Sequence, residues 1–335
     1  MATSSRPVDA ILRVGRRRAP GRPAASPRGL SRAATRIGRF YVGPIAIWIT
    51  VFFVAPILII FAYSVMARGL YGGVEPRFSL DAYRALFNPI FARVTLTTIW
   101  ISVLGTLMTI ALALPVAYYM ARSGKAWLIL LVIVPFWTNF LIRIYAWIAI
   151  LGNNGFLNSL LIGLGITREY VQFLYNRGAV VTVLVYTYLP YAILPLYSTI
   201  ERFDFTLLEA ARDLGATHAQ SLRTVLLPGI RTGLFTAVLF TFIPTFGAYA
   251  VPQLVGGQDS YMLGNIIARE LTVTRNWPLS SAISVVITLI TTAGLLLYLW
   301  LNRRRPGSPP AGGPGRSRSG ASSGGAREGA AGGVA

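Results

Sequence analysis

Six stretches of this chain, near 42–66, 94–121, 127–151, 179–200, 232–255 and 280–301, are predominantly apolar. Each is about the ~20 residues that a helix needs to cross the hydrocarbon core of a bilayer. One such stretch would suit a buried core helix; six with so few charges inside them do not. Of the 335 residues 54% are hydrophobic and only 13% charged, so the chain carries more apolar surface than one core can enclose. Lipid must cover the surplus, and in lipid only a helix or a closed barrel satisfies its own backbone amides. The fold class that follows is all-α integral membrane, with six transmembrane helices.

A net charge of +20 invites a nucleic-acid reading, which needs a basic face on a folded domain. The arginines instead sit mostly at the ends. Arg6, Arg13, Arg16, Arg17, Arg18, Arg22, Arg28, Arg32, Arg36 and Arg39 precede the first span; Arg303, Arg304, Arg305, Arg316, Arg318 and Arg327 follow the last. Such charge reads first as topology, with the lipid bilayer and not a nucleic acid as the partner. The tails, the Arg122–Lys125 turn and the 201–231 loop share one side, which the positive-inside bias makes cytoplasmic, so both termini are expected inside. The outer loops are then 67–93, 152–178 and 256–279, of which the first carries Arg68, Arg77, Arg84 and Arg93 against the bias. Residues 1–38 and 303–335, rich in Arg, Pro, Gly, Ser and Ala, lack the apolar periodicity to offset ordering entropy. They are expected to be disordered basic tails around a membrane domain at 39–302. The first span is too long, begins too far into the chain and ends too bulkily, in Ala-Tyr-Ser-Val-Met, to be a cleaved signal peptide.

The chain has no cysteine and one histidine, His218, so disulfides, thiolate zinc sites, cysteine nucleophiles and multi-histidine metal sites are excluded. With no titratable cluster in the spans, no nucleophile and base can be paired, which argues against an integral-membrane enzyme. Prolines inside the spans, Pro56, Pro115, Pro135, Pro190, Pro195 and Pro244, each remove a backbone donor. Kinked helices around a cavity tolerate them, and so do helices whose neighbours repair the ladder. No internal repeat at solenoid periods is present.

The loop between the fourth and fifth spans is amphipathic and helix-prone. It runs Glu209-Ala210-Ala211-Arg212-Asp213-Leu214-Gly215 and continues through Val225-Leu226-Leu227-Pro228. Ala210 and Ala211 favour helix and let a partner approach the backbone closely. Gly215 can end that helix in a left-handed conformation, and Pro228 marks the bend into the next span. A helix–turn–helix of this kind on the cytoplasmic side of a bundle suits a partner's groove.

The spacing Glu-Ala-Ala, three residues, Gly, nine residues, aliphatic, one residue, Leu-Pro resembles the EAA loop of ABC importer permeases, with Val225 at the usual isoleucine position. Four further blocks resemble the spermidine/putrescine-type permeases of that family. These are Pro135-Phe136-Trp137-Thr138-Asn139-Phe140-Leu141-Ile142-Arg143-Ile144-Tyr145-Ala146-Trp147, Tyr188-Leu189-Pro190-Tyr191 with Leu194-Pro195-Leu196-Tyr197, Pro252-Gln253-Leu254-Val255-Gly256-Gly257, and Asn276-Trp277-Pro278. The likeness runs from about 42 to 301. It implies a type I ABC importer permease bundle in a bacterial inner membrane, docked through Glu209, Ala210, Ala211, Asp213 and Gly215 to ATPase subunits. It also implies a second homologous permease and an extracytoplasmic solute-binding protein.

No Gly-rich phosphate loop occurs, since Ser123-Gly124-Lys125 lacks the preceding pattern, so no cofactor is expected on this chain and ATP with Mg is expected on the partner. This makes the chain a non-catalytic subunit. The candidates for the solute path are Arg143, the notable charge inside a span, with Asn139, Trp137, Tyr186, Tyr188, Tyr191, Phe246 and Tyr249. Aromatic faces suit a polyamine through cation–π attraction, although the same residues also serve as helix packing. No Asp or Glu lies within any span, and Arg143 by itself favours an anion. An ATP-independent secondary transporter or channel is the other class open to such a chain, but inverted repeats and intramembrane carboxylates are not visible.

Overall fold

A computed structural model describes residues 42–125 and 127–303. The tails expected at 1–38 and 303–335 fall outside the described residues, apart from Arg303, which closes the last helix. The chain divides into two compact units, Met1–Ile287 and Thr288–Ala335.

In the first unit, α1 (Val42–Ser64) is so apolar that water could not hold it, yet Ser64 is its one buried residue, and Trp48 and Phe53 are each more than 60% exposed. Its ladder widens to a π turn at Thr50–Val54, where the Ala55 N–H reaches the Thr50 carbonyl. This is the turn just before Pro56, which cannot donate to Phe52. The end of α1 is tied down by the Tyr83 hydroxyl, which donates to Ser64 Oγ at 2.9 Å. A hairpin follows, β1 (Met66–Arg68) antiparallel to β2 (Val74–Phe78), with Ala67 opposite Glu75 and Arg68 opposite Val74. The hairpin is a small β element inside the segment expected to be a loop at 67–93. It turns through Gly72 and Gly73, both at positive φ, and the Gly73 N–H donates to the Arg275 carbonyl at 2.8 Å. A short helix α2 (Asp81–Ala85) leads to α3 (Pro89–Ser123).

The long helix α3 starts on Asn88, whose Oδ1 accepts from the Ile90 N–H at 3.0 Å, and stops at Gly124 with φ +62. Its inner stripe is small or hydroxylated: Thr98, Ser102, Gly105, Thr106, Thr109, Ala113 and Ala117 are all buried. Such residues let helices approach closely without a hydrophobic driving force, as membrane bundles require.

The third expected span, 127–151, is not one helix. It breaks into α4 (Trp127–Trp137), whose last four residues form a 3₁₀ turn, and α5 (Phe140–Leu151), with Thr138 and Asn139 extended between them. Pro135 tightens the end of α4, and Asn139 Oδ1 accepts from the Leu141 N–H at 2.8 Å to restart the helix. Beyond α6 (Phe156–Gly163), the chain folds back onto Asn158, which is fully buried. Its amide donates to the Gly152 and Val171 carbonyls and accepts from the Val171 N–H.

The most enclosed span is α7 (Arg177–Ile200), which packs against α3 and against α10 (Arg231–Phe246). Between α7 and α10 lie α8 (Thr206–Asp213) and α9 (His218–Gly229). The fifth expected span, 232–255, also differs: α10 ends at Phe246, and after Gly247–Tyr249 the chain forms a separate α11 (Ala250–Val255). Helix α12 (Leu263–Thr272) follows a short turn, and α13 (Trp277–Arg303) is the sixth span. One core cluster joins Ile101, Ile144, Val183, Leu184, Val251 and Met262; another joins Ala117, Met120, Leu196, Ile200, Leu208, Leu226 and Ile230. The described part of the second unit, 288–303, is helical and exposes Leu289, Ile290, Leu296 and Trp300.

Candidate functional site

The loop between α7 and α10 forms an ordered elbow. Asp204 opens it: its Oδ1 accepts from the Thr206 N–H at 3.0 Å and from the Thr206 hydroxyl at 2.7 Å. Those bonds hold its carboxyl below the usual carboxylate range. Helix α8 then runs to a left-handed Gly215 at φ +90. The Gly215 N–H donates to the Arg212 carbonyl at 2.8 Å and the Ala216 N–H to the Ala211 carbonyl at 3.0 Å, a paired closure that satisfies two terminal carbonyls. Thr217 starts α9 with reciprocal bonds to Gln220. Between Gly229 and Arg231 the chain bends by 75° into α10. A Cβ on Gly229 would collide with the Phe203 ring, so the bend depends on a bare backbone there.

The elbow is rooted in the bundle and bare at its tip. Leu208 and Ile230 are fully buried and Leu226 is 3% exposed, all within the cluster that holds Met120, Leu196 and Ile200. Arg122 adds a cation–π contact to Phe205 at 5.6 Å. Glu209, Ala210, Asp213 and Gly215 are exposed and Ala211 is half-buried. Leu207 and Leu214, at i and i+7 with Ala210 between them, make an apolar stripe; Leu214 is 90% exposed. His218, assigned no role in the sequence, meets Arg212 across the turn, Nδ1 to Nη2 at 2.8 Å. The sequence carries no signal for that pairing, because it depends on the αL turn bringing residues six apart together.

The solute-path candidates divide. The Arg143 guanidinium lies over the Phe136 ring, 5.0 Å from its centroid, and 5.9 Å from that of Phe140. Phe136 meets Tyr191 edge-on at 5.2 Å, and Tyr191 meets Tyr188 at 5.9 Å. Asn139 caps α5 one turn before Arg143, while Trp137 is 81% exposed. Tyr186 pairs instead with Trp147, and the Tyr188 hydroxyl donates to the Pro244 carbonyl at 3.4 Å, beside the end of α10. Phe246 stands apart: it is buried against Leu263, Leu279 and Ile283, stacks on Phe242, and offers no surface to a path. Tyr249 is half-exposed, and its carbonyl accepts from Asn265 Nδ2. Phe136 and Phe140, which the sequence reading left out of the path, are the rings that hold Arg143.

Residues 26–305 match the family described as binding-protein-dependent transport system inner membrane component. The chain belongs to that family. Among its relatives, this permease is 36% identical to the spermidine/putrescine transport system permease protein PotB of Haemophilus influenzae, over 76% of this chain and 91% of that protein. It is 34% identical to the inner membrane ABC transporter permease protein YdcU of Escherichia coli, over 69% and 77% of the two chains. In fold it resembles a bacterial ABC transporter involved in import of the acidic polysaccharide alginate, with TM-score 0.66 at 18% identity, covering 82% of this chain and 98% of that one. The permease is therefore a multi-pass, non-catalytic transmembrane component of an ABC importer in the inner membrane.

Proposed function

We propose that this permease forms the solute path of an ATP-driven importer for polyamines, spermidine and putrescine, or a related small solute, and that the 201–231 elbow receives the force. The elbow carries the reading: its root is locked into the bundle through Leu208, Leu226 and Ile230, while its tip presents Leu207, Ala210 and Leu214 to a partner. Leaving Leu214 90% exposed disfavours the free chain in water, and covering it in a partner's groove recovers that loss. A rigid joint between a docking tip and a bundle transmits displacement. An ATP-independent transporter has no use for one.

In this reading Glu209, Ala210, Ala211, Asp213 and Gly215 meet a separate ATPase, which alone binds ATP and Mg. The elbow and both termini are cytoplasmic, a second homologous permease completes the path, and an extracytoplasmic solute-binding protein delivers the solute. The polyamine class rests on the PotB relatives. ATPase-driven closure would bring two elbows together and switch the bundle between outward and inward access.

The test is a reconstituted complex carrying Ala210→Arg or Gly215→Pro, assayed for uptake of labelled spermidine and putrescine and for solute-stimulated ATP hydrolysis. Both variants should insert in the membrane and lose coupled uptake. Undiminished transport by either, or transport by cells lacking any partner ATPase, contradicts the assignment.

A further inference from the structure

Arg143 holds an unusual position for a charge. The break at Thr138–Asn139 parts the short apolar helix α4 from the candidate span Phe140–Gly163. Arg143 sits on the first turn of α5 just beyond that break. An arginine inside a span is costly against lipid and belongs on a face covered by protein or water. No carboxylate neutralises it: no described span contains an Asp or Glu, and the one ion pair among the described residues is Arg84 with Asp81. Its Nε is buried without a hydrogen-bond partner among the described residues. What the guanidinium does have is the two ring faces of Phe136 and Phe140.

The same surroundings suit an ammonium ion. Ring faces attract organic cations most strongly where water is excluded. Further acceptors lie on α7, where Pro190 and Pro195 cannot donate to the carbonyls of Tyr186 and Tyr191, which leaves those oxygens without their helical partners. Tyr191 is the residue whose ring packs on Phe136. An acid-free path can therefore still receive a cation, through π faces and backbone carbonyls, but the protein's own cation already occupies the Phe136 and Phe140 ring faces.

We propose that Arg143 is the resting occupant of an organic-cation subsite on Phe136 and Phe140, and that an ammonium group of the solute displaces it during passage. The inference rests on the polyamine-class reading above and adds the mechanism of selection. Arg143 competes with the solute and fills the break when no solute is present. Its charge then repels small inorganic cations, while a solute able to stack on the rings exchanges with it.

The test uses the complete importer, reconstituted in proteoliposomes, with labelled spermidine as probe. Arg143→Gln removes the competitor and should lower KM by about threefold or more, the scale of a cation–π contact. Arg143→Lys, which keeps a cation but loses the planar stacking of the guanidinium, should give a KM between those of wild type and Arg143→Gln. Phe136→Leu in the Arg143→Gln background should raise KM again by a similar factor. A KM that rises or stays unchanged in Arg143→Gln overturns the proposal; a rise would mark Arg143 as a ligand for an anionic group. If the wild-type complex imports no polyamine, the substrate reading fails separately. The subsite is then decided by methylammonium leak from ATP-free vesicles: leak that is fastest in Arg143→Gln and smaller in Arg143→Lys supports it, and equal leak in all three refutes it.

Discussion

Gly215 isolates backbone conformation from packing, because a Cβ built there meets nothing within 4 Å. Its φ of +90 lies where an L side chain pays about 1–2 kcal/mol. Replacing it with Ala therefore adds strain but no collision, and the smaller entropy of the unfolded alanine offsets part of it. The net, about 1 kcal/mol, is roughly a fivefold shift in the closure equilibrium of the turn. Two bonds report it, Gly215 N–H to Arg212 O and Ala216 N–H to Ala211 O. Hydrogen exchange should show about fivefold less protection of the residue 216 amide in Gly215→Ala, and less loss in Gly215→Asn, since asparagine tolerates the left-handed region. Gly215→Pro fixes φ near −65° and deletes the donor, at about 3 kcal/mol or more, which is a hundredfold or more. Coupled ATP hydrolysis should fall in the same order, Asn, Ala, Pro. If Gly215→Ala leaves exchange unchanged, or if asparagine is worse than alanine, the elbow is not held by this glycine's conformation and the reasoning fails.

Two other perturbations probe the supports of the fold. Asn158→Ala strips the buried amide that bridges Gly152 and Val171, leaving backbone groups unpaired; at 1–3 kcal/mol for such a loss, about 3 kcal/mol is expected, read as a lower melting temperature in detergent and faster proteolysis within 152–176. Equal proteolysis of variant and wild type would show that the loop is held elsewhere. Asp204 titrates below its ordinary value of 3.8 because its ionised form accepts both Thr206 bonds. A depressed carboxyl stabilises the folded elbow above the unfolded value and loses that contribution as pH falls through the folded value. Protection of the first turn of α8, corrected for intrinsic exchange, should thus decline on acidification below about pH 4 in the wild type and lose that dependence in Asp204→Asn.

Much of the elbow was legible because its determinants are local. A glycine that can adopt positive φ, a helix-favouring Ala pair and a proline before a span act within a few residues of themselves, and the structure has the left-handed Gly215 and the bend after Pro228 where the sequence placed them. The breaks at Thr138–Asn139 and Gly247–Tyr249 were not legible. Hydropathy averaged over a span is blind to two extended residues, and an in-span proline is compatible with a kink, a repaired ladder or a full break. The hairpin at Met66–Phe78 escaped for a related reason: its pairing leans on a backbone bond to Arg275, two hundred residues away.

The apolar runs alone determined that the chain lives in a membrane and crosses it repeatedly, because transfer of some twenty apolar residues into hydrocarbon dominates every local preference. The sequence also located the elbow between the fourth and fifth spans. Only the tertiary structure decided which side chains meet: Arg143 on Phe136, Phe136 on Tyr191, His218 on Arg212, and Phe246 inside a core. Those meetings depend on the rotation of each helix and on where its ladder breaks. Both are set by packing against small buried residues such as Gly105 and Thr109, whose chemistry in the one-dimensional chain says nothing of what they face.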